Sequence, residues 1–261
     1  MKTIYNLMIA TALSCLFFSC QSVEVEKSSS SSDLYAVAYQ QLSPEYVALC
    51  YQAFNLAELR LNEIMQQQYE KPLAVVVDID ETVLDNIPFQ ADCIINGYTY
   101  PKGWKEWIEK AEAEPIAGAV AFLNKAFELG VETIYISNRN DKYREPTLKN
   151  LAEKGFPCVR NENLLLKTDS NDKETRRNQV LENYEMALLI GDNLGDFSDL
   201  FETKDAAERM NATVNNSTIF GAKWIMLPNA VYGGWLDALL NNCDKETGSD
   251  DCLKSQLKGF Q

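Results

Sequence analysis

Ala74-Val75-Val76-Val77-Asp78-Ile79-Asp80-Glu81-Thr82 is the stretch from which the rest of the chain can be read. A short, mostly β-branched apolar run, bounded by Pro72 behind and acids ahead, predicts a buried strand rather than a helix segment. Acids at the carboxyl end of a buried parallel strand sit where open α/β sheets bind their ligands. Asp78 and Asp80 are two apart, so extended geometry points both to one face. Two carboxylates on one face repel unless a cation or a proton lies between them. The stretch is therefore a candidate hard-metal site containing a nucleophile.

Composition narrows the chemistry. The 261 residues are 46% hydrophobic and 24% charged, which fits one globular domain with insertions. A formal net charge of -14 disfavours nucleic acid as a partner, because phosphate backbones are held by basic stripes. A small anionic substrate remains compatible if a metal and a few cations focus on one cleft. The count of histidines is 0, which excludes a Ser-His-Asp triad, a phosphohistidine and any His-ligated metal centre. The 7 cysteines show no paired metal-ligand spacing. Cys243 and Cys252 bracket a polar stretch, and both a small disulfide loop and two separate thiols are compatible with that.

Residues 1–20 read as a targeting segment: Lys2, an apolar run from Met8 to Phe18, then Ser19-Cys20. The run is too short to span a membrane well. It resembles a bacterial lipoprotein signal with Cys20 as the lipidated residue, the alternative being an ordinary secretory signal; both imply export. Residues 21–33 are a Ser-rich polar tether, and 34–261 form the domain. Ser43-Pro44-Glu45 starts a helix whose apolar spacing runs to Tyr69. After the first strand, residues of about 85–114 form a polar, aromatic insertion with Tyr98, Tyr100, Trp104 and Trp107, placed to be a lid. Its aromatics read first as anchors of the lid, and second as a surface for a flat ring. Pro115 is expected to open a helix ending at Gly130. Further strands at Thr133–Ile136, Leu164–Leu166, Ala187–Ile190 and Trp224–Leu227 alternate with helices, predicting an α/β fold, a doubly wound and mostly parallel sheet.

Several of these strands end in residues suited to phosphate chemistry: Asp78 and Asp80, Ser137, Lys167, then Asp192 and Asp196. In a doubly wound sheet those ends converge. Phosphoryl transfer from a monoester needs an in-line nucleophile, a hard cation such as Mg²⁺, a second carboxyl as acid and base, and groups that hold the equatorial oxygens.

The order Asp-x-Asp-x-Thr, then Ser, then Lys, then Gly-Asp-x-x-x-Asp resembles that of the haloacid dehalogenase superfamily of aspartyl-phosphate phosphatases. Val77–Asn86 together with Gly191–Phe197 resembles the paired signature of bacterial class C acid phosphatases, outer-membrane lipoproteins of which some are 5′-nucleotidases. Tyr51–Asn55, Ile136–Arg139, Leu165–Lys167 and Leu227–Trp235 support the likeness, which spans about residues 42–240. Phe89 and Gly195 depart from it, where Tyr and often Asp are usual.

The resemblance implies a haloacid-dehalogenase-like fold with a small helical cap, an Mg²⁺ cofactor and a small phosphomonoester substrate, with nucleoside 5′-monophosphates favoured. It implies Asp78 as nucleophile and metal ligand, and Asp80 as general acid/base lending its carbonyl to the metal. Asp192 and Asp196 complete the metal site. Ser137, with Asn138 beside it, and Lys167 hold phosphate, and Thr82 fixes either the loop or the aspartates. Tyr232 stacks a nucleobase, or else packs in its Gly-rich turn. Lys173 reads as a solvated helix charge. The implied setting is the cell envelope, anchored to the membrane through lipid at Cys20; a homodimer is left open. Other readings are a nucleotide- or phosphate-binding lipoprotein without turnover, and a phosphotransferase on the same fold. Asp80 weighs against the former, since a binding protein needs no acid/base there.

Overall fold

The structure, a computed structural model, describes residues 31–244 and 248–260. The targeting segment and residues 21–30 of the expected tether lie outside the described residues. Helix α1 (Ser31–Leu42) already begins within the last residues assigned to the tether. Ser43 then breaks the chain: its hydroxyl accepts from the Glu45 amide at 3.1 Å, and Pro44 occupies the first turn of α2 (Pro44–Ile64). Among the described residues no helix is long and apolar enough to cross a membrane.

The centre is a five-stranded parallel sheet. In chain order its strands are β1 (Leu73–Val77), β4 (Glu132–Asn140), β5 (Leu164–Lys167), β6 (Glu185–Gly191) and β7 (Trp224–Met226), in spatial order β5-β4-β1-β6-β7. β1 is thus central, flanked by β4 and β6. Its alternation sets the two faces: Val75 and Val77 enter one core with Cys50, Phe54 and Leu61 of α2, and with Phe122 and Leu123 of α5 (Ala119–Glu128). Ala74 and Val76 enter the other, with Val180 of α7 (Glu174–Asn183) and the aromatics Phe197, Phe201 and Trp224. Burial on both faces explains why β1 reads as a continuous apolar run.

Between β1 and α5 lies a segment framed by a two-stranded ribbon, β2 (Leu84–Asp85) against β3 (Glu114–Pro115), with Leu84 opposite Pro115 and Asp85 opposite Glu114. It carries α3 (Ile87–Asn96) and α4 (Trp104–Lys110). Pro115 therefore closes a ribbon rather than opening a helix, and α5 starts only after Gly118. Phe89 is buried with its ring 5.1 Å from Trp104, which in turn lies 5.9 Å from Tyr100. These aromatics anchor the segment to itself.

α6 (Arg144–Glu153) links β4 to β5. Beyond β6 the chain adds α8 (Ala206–Asn215), α9 (Gly234–Leu240) and α10 (Ser249–Gln256), and Cys243 is disulfide-bonded to Cys252 between the last two.

Candidate active site

The carboxyl ends of β1, β4 and β6 meet at one point. Asp78 follows β1 directly, and its amide still donates to Ile190 of β6 at 2.9 Å. Ile79 continues the alternation into the core, so Asp78 and Asp80 both turn away from that face. Glu81 then adopts a left-handed conformation, φ 59°, and the amides of Thr82, Val83 and Leu84 all fold back on the Ile79 carbonyl. For a residue with a Cβ this conformation costs about 1 kcal/mol, a strain of the kind that collects at functional turns. Glu81 is fully buried, its Oε1 accepting from the Asn86 amide at 2.8 Å, and burial holds its carboxyl well above the usual range.

Asp78, Asp192 and Asp196 offer carboxylate oxygens that lie within 4.8 Å of one another. Asp192 directly follows β6; its Oδ1 accepts from Thr82 Oγ1 at 3.0 Å and its Oδ2 from Asn229 Nδ2 at 2.8 Å. Asp196 Oδ2 accepts from the Asn193 amide at 2.8 Å. A Cβ at Gly191 would fall 2.3 Å from that oxygen, so the close approach needs glycine at the end of β6. Burial, with Asp196 and Asp80 as repelling neighbours, raises Asp78 to about 7 although Lys173 pulls it down. Burial and the charges of Asp196 and Asp78 hold Asp192 well above its usual range. Such a set of hard oxygen acceptors fits a divalent cation.

The cation that reaches these acids is Lys173. Its ammonium bonds Asp78, and Asp196 Oδ1 at 2.6 Å, with the side chain only 6% exposed. Burial opposes its charge, but Asp196 and Asp78 outweigh that and hold it above the usual lysine range. The reading of Lys173 as a solvated charge is thus wrong. Its neighbours turn inward too: Arg176 donates to the Ser137 carbonyl and to Asn138 Oδ1, each at 2.6 Å, and Arg177 to the carbonyls of Gly195 at 2.9 Å and Asp196 at 3.0 Å. Lys167, at the end of β5, instead donates to Asn171 at 3.0 Å. A lysine at a helix start opposes the helix dipole, and that local conflict was the available signal for Lys173.

Asp80 is held separately. Its Oδ1 accepts from Asn86 Nδ2 at 2.8 Å, Arg139 Nε at 2.9 Å and Arg139 Nη2 at 2.8 Å; its Oδ2 accepts from Ser137 Oγ at 3.1 Å. β4 runs further than its apolar core predicts, through Asn140, and its pairing with β5 slips between Ser137 and Asn140. Ser137 and Arg139 are buried there while Asn138 is exposed. Sequence reasoning assigned nothing to Arg139 or Asn86. Thr82 bonds both the aspartate and the loop, its hydroxyl donating to Asp192 and its amide to the Ile79 carbonyl. Tyr232 lies half-buried on the loop of Asn229, whose Oδ1 its amide reaches at 3.4 Å.

A family model described as HAD superfamily, subfamily IIIB (acid phosphatase), matches residues 6–235. Acid phosphatase 1 of Solanum lycopersicum is 25% identical over 131 residues, 48% of this chain and 51% of that protein. Vegetative storage protein 1 of Arabidopsis thaliana is 29% identical over 133 residues, 46% of this chain and 47% of that protein. The matched stretch thus spans about half the length of these curated relatives. The class C acid phosphatase from Bacillus anthracis superposes with a TM-score of 0.84 at 37% identity, covering 88% of this chain and 98% of that one. Its tungstate-bound form gives 0.83 at 36%. The chain belongs to the subfamily IIIB acid phosphatases of the haloacid dehalogenase superfamily, and within them to the class C acid phosphatases.

Proposed function

We propose that the chain is an exported, Mg²⁺-dependent phosphomonoesterase that hydrolyses nucleoside 5′-monophosphates through an aspartyl-phosphate on Asp78. The observation that carries this reading is the buried cluster of Asp78, Asp192 and Asp196 with Lys173 inserted into it. One of those acids follows the central strand, where both neighbouring strands deliver groups around it.

Asp78, Asp192, Asp196 and the Asp80 carbonyl would hold the cation, which would supply positive charge to bind the phosphoryl group and offset the repulsion among the acids. The Asp78 carboxylate attacks phosphorus; the bond to the ester oxygen breaks, and that oxygen leaves with a proton from Asp80. Asp80 then takes a proton from water as the water attacks phosphorus, which frees Asp78 and releases inorganic phosphate. Lys173 and the Ser137 hydroxyl face the equatorial oxygens as charge develops on them. Lys173 takes the role expected of Lys167. Asn138 and Lys167 border this region, where their present partners are Arg176 and Asn171.

Support for a nucleotide is the aromatic character of the inserted segment, with Tyr100 63% exposed, together with Tyr232 on the loop of Asn229, which bonds Asp192. The tungstate complex of the Bacillus anthracis enzyme shows that a relative takes a tetrahedral oxyanion. Export rests on the apolar run from Met8 to Phe18 followed by Ser19-Cys20, with Cys20 as the proposed lipid anchor. The test is phosphate release from AMP, NMN, glycerol phosphate and p-nitrophenyl phosphate with Mg²⁺ or EDTA. Release that needs Mg²⁺ and ranks the nucleotides first is expected. EDTA-resistant release contradicts the metal assignment, and glycerol phosphate ranking first contradicts the nucleotide assignment.

A further inference from the structure

We propose that Trp107 and Asn86 of the inserted segment, together with Arg139 of β4, are positioning residues that fix which oxygen of Asp80 carries the transferred proton. The inference rests on the reading of Asp80 as acid and base.

The two oxygens of Asp80 differ in their surroundings. Oδ1 accepts from Asn86 Nδ2 at 2.8 Å and from Arg139 Nε at 2.9 Å and Nη2 at 2.8 Å. A proton added to Oδ1 has to displace one of these donors, two of them charged. Oδ2 faces Ser137 Oγ at 3.1 Å, and a hydroxyl can turn to donate or to accept. Oδ2 is therefore the oxygen that takes and gives the proton. The Arg139 side chain is 2% exposed and the Asp80 side chain 19%, so the clamp lies inside and Asp80 is the more open of the two.

The clamp is itself fixed from the inserted segment. Asn86 Oδ1 accepts from Trp107 Nε1 at 2.8 Å and from Arg139 Nη2 at 3.3 Å. An indole N–H and a guanidinium can only donate, so the amide oxygen of Asn86 has to face them. Its NH₂ group is then obliged to face Asp80. Turning the amide over sets donor against donor on one side and oxygen against carboxylate on the other, which costs hydrogen bonds at both ends. Trp107 belongs to α4, and Trp104 of the same helix lies with its ring 6.0 Å from the Arg139 guanidinium. Docking of α4 and orientation of Asp80 are therefore one hydrogen-bonded network.

The experiment compares kcat/KM for p-nitrophenyl phosphate, whose leaving group departs with little protonation, and for glycerol phosphate, whose alkoxide requires a proton. kcat/KM reports the steps through bond cleavage, where Asp80 acts as acid. Asp80→Asn is the reference, with a loss on the alkyl ester about 10²–10⁴-fold beyond that on the aryl ester. Trp107→Phe keeps the ring and removes the N–H; Arg139→Lys keeps the charge and removes the fork. Each folded variant is expected to lose about tenfold more on the alkyl ester than on the aryl ester, a fraction of the acid catalysis at stake. That extra loss vanishes when Trp107→Phe is combined with Asp80→Asn, because both act through one group. Equal losses on the two esters, or effects that add in full to Asp80→Asn, overturn the proposal while leaving the acid/base reading intact. An Asp80→Asn variant without ester discrimination overturns that reading, and the proposal with it.

Discussion

Replacing Lys173 by Met separates the two lysines that compete for the site. Met is nearly as long but carries no charge, so Lys173→Met leaves Asp78 and Asp196 facing each other in a buried pocket. The wild-type ammonium bonds both, the latter at 2.6 Å. Removing one partner of a buried ion pair costs about 3–5 kcal/mol, because the charges left behind stay desolvated. A bound cation shares the neutralisation, so adding Mg²⁺ recovers part of this loss. Activity depends on the same group differently. A fixed charge aimed at developing negative charge is worth about 2.7–4 kcal/mol, so kcat falls about 10²–10³-fold. Lys167→Met removes one hydrogen bond to Asn171, worth about 1 kcal/mol, and leaves kcat within a few-fold of wild type. The assay is urea unfolding of both variants with and without Mg²⁺, beside phosphate release from p-nitrophenyl phosphate at saturation. A folded Lys173→Met enzyme of near wild-type kcat, with Lys167→Met inactive, refutes the assignment.

The metal-free protein carries a pH signature. Asp78 is raised from 3.8 to about 7, and Asp192 is raised as well. Between the unfolded and folded values the native state holds more protons than the unfolded one, so stability falls as pH rises from about 4 to 7. Mg²⁺ binding requires the deprotonated acids, so its stabilisation, about 2.7 kcal/mol at a hundredfold excess over Kd, is larger at pH 7 than at pH 5. Thermal melts at the two pH values, with and without Mg²⁺, check this; a larger Mg²⁺ shift at pH 5 contradicts it. The Cys243–Cys252 bond closes a loop with a sequence separation of 9, worth about 2.6 kcal/mol of chain entropy. Its reduction is expected to lower Tm while the specific activity of the folded enzyme stays constant, because neither cysteine touches the acid cluster; a parallel loss of activity contradicts this.

Much of this architecture was legible because local and global signals agreed. The β1 run is apolar on both faces, and a central parallel strand is buried on both faces. The punctuation at Ser43-Pro44 fell where α2 starts. Pro115 misled because its backbone suits a first helical turn as well as the edge of a short ribbon; pairing with Leu84, distant in sequence, decided it. The acids of the site could be read because strand ends converge in a parallel sheet. Arg176 and Arg177 could not, since a run of charges in a polar helix is ordinarily solvated, and for Lys173 only its place at the helix start, against the dipole, spoke otherwise. Their burial follows from partners outside α7: Asp78 and Asp196 for Lys173, the carbonyls of Ser137, Gly195 and Asp196 for the arginines. Arg139 was hidden because its β-strand continues past the apolar residues that announced it.

The covalent step is the claim on which the account turns, and acid-quenched turnover with a labelled phosphate ester tests it most directly. Wild-type enzyme quenched during turnover with Mg²⁺ is predicted to carry label on the peptide containing Asp78, and Asp78→Asn to carry none and release no phosphate. A folded Asp78→Asn protein that still turns over, or label on a different residue, contradicts the account.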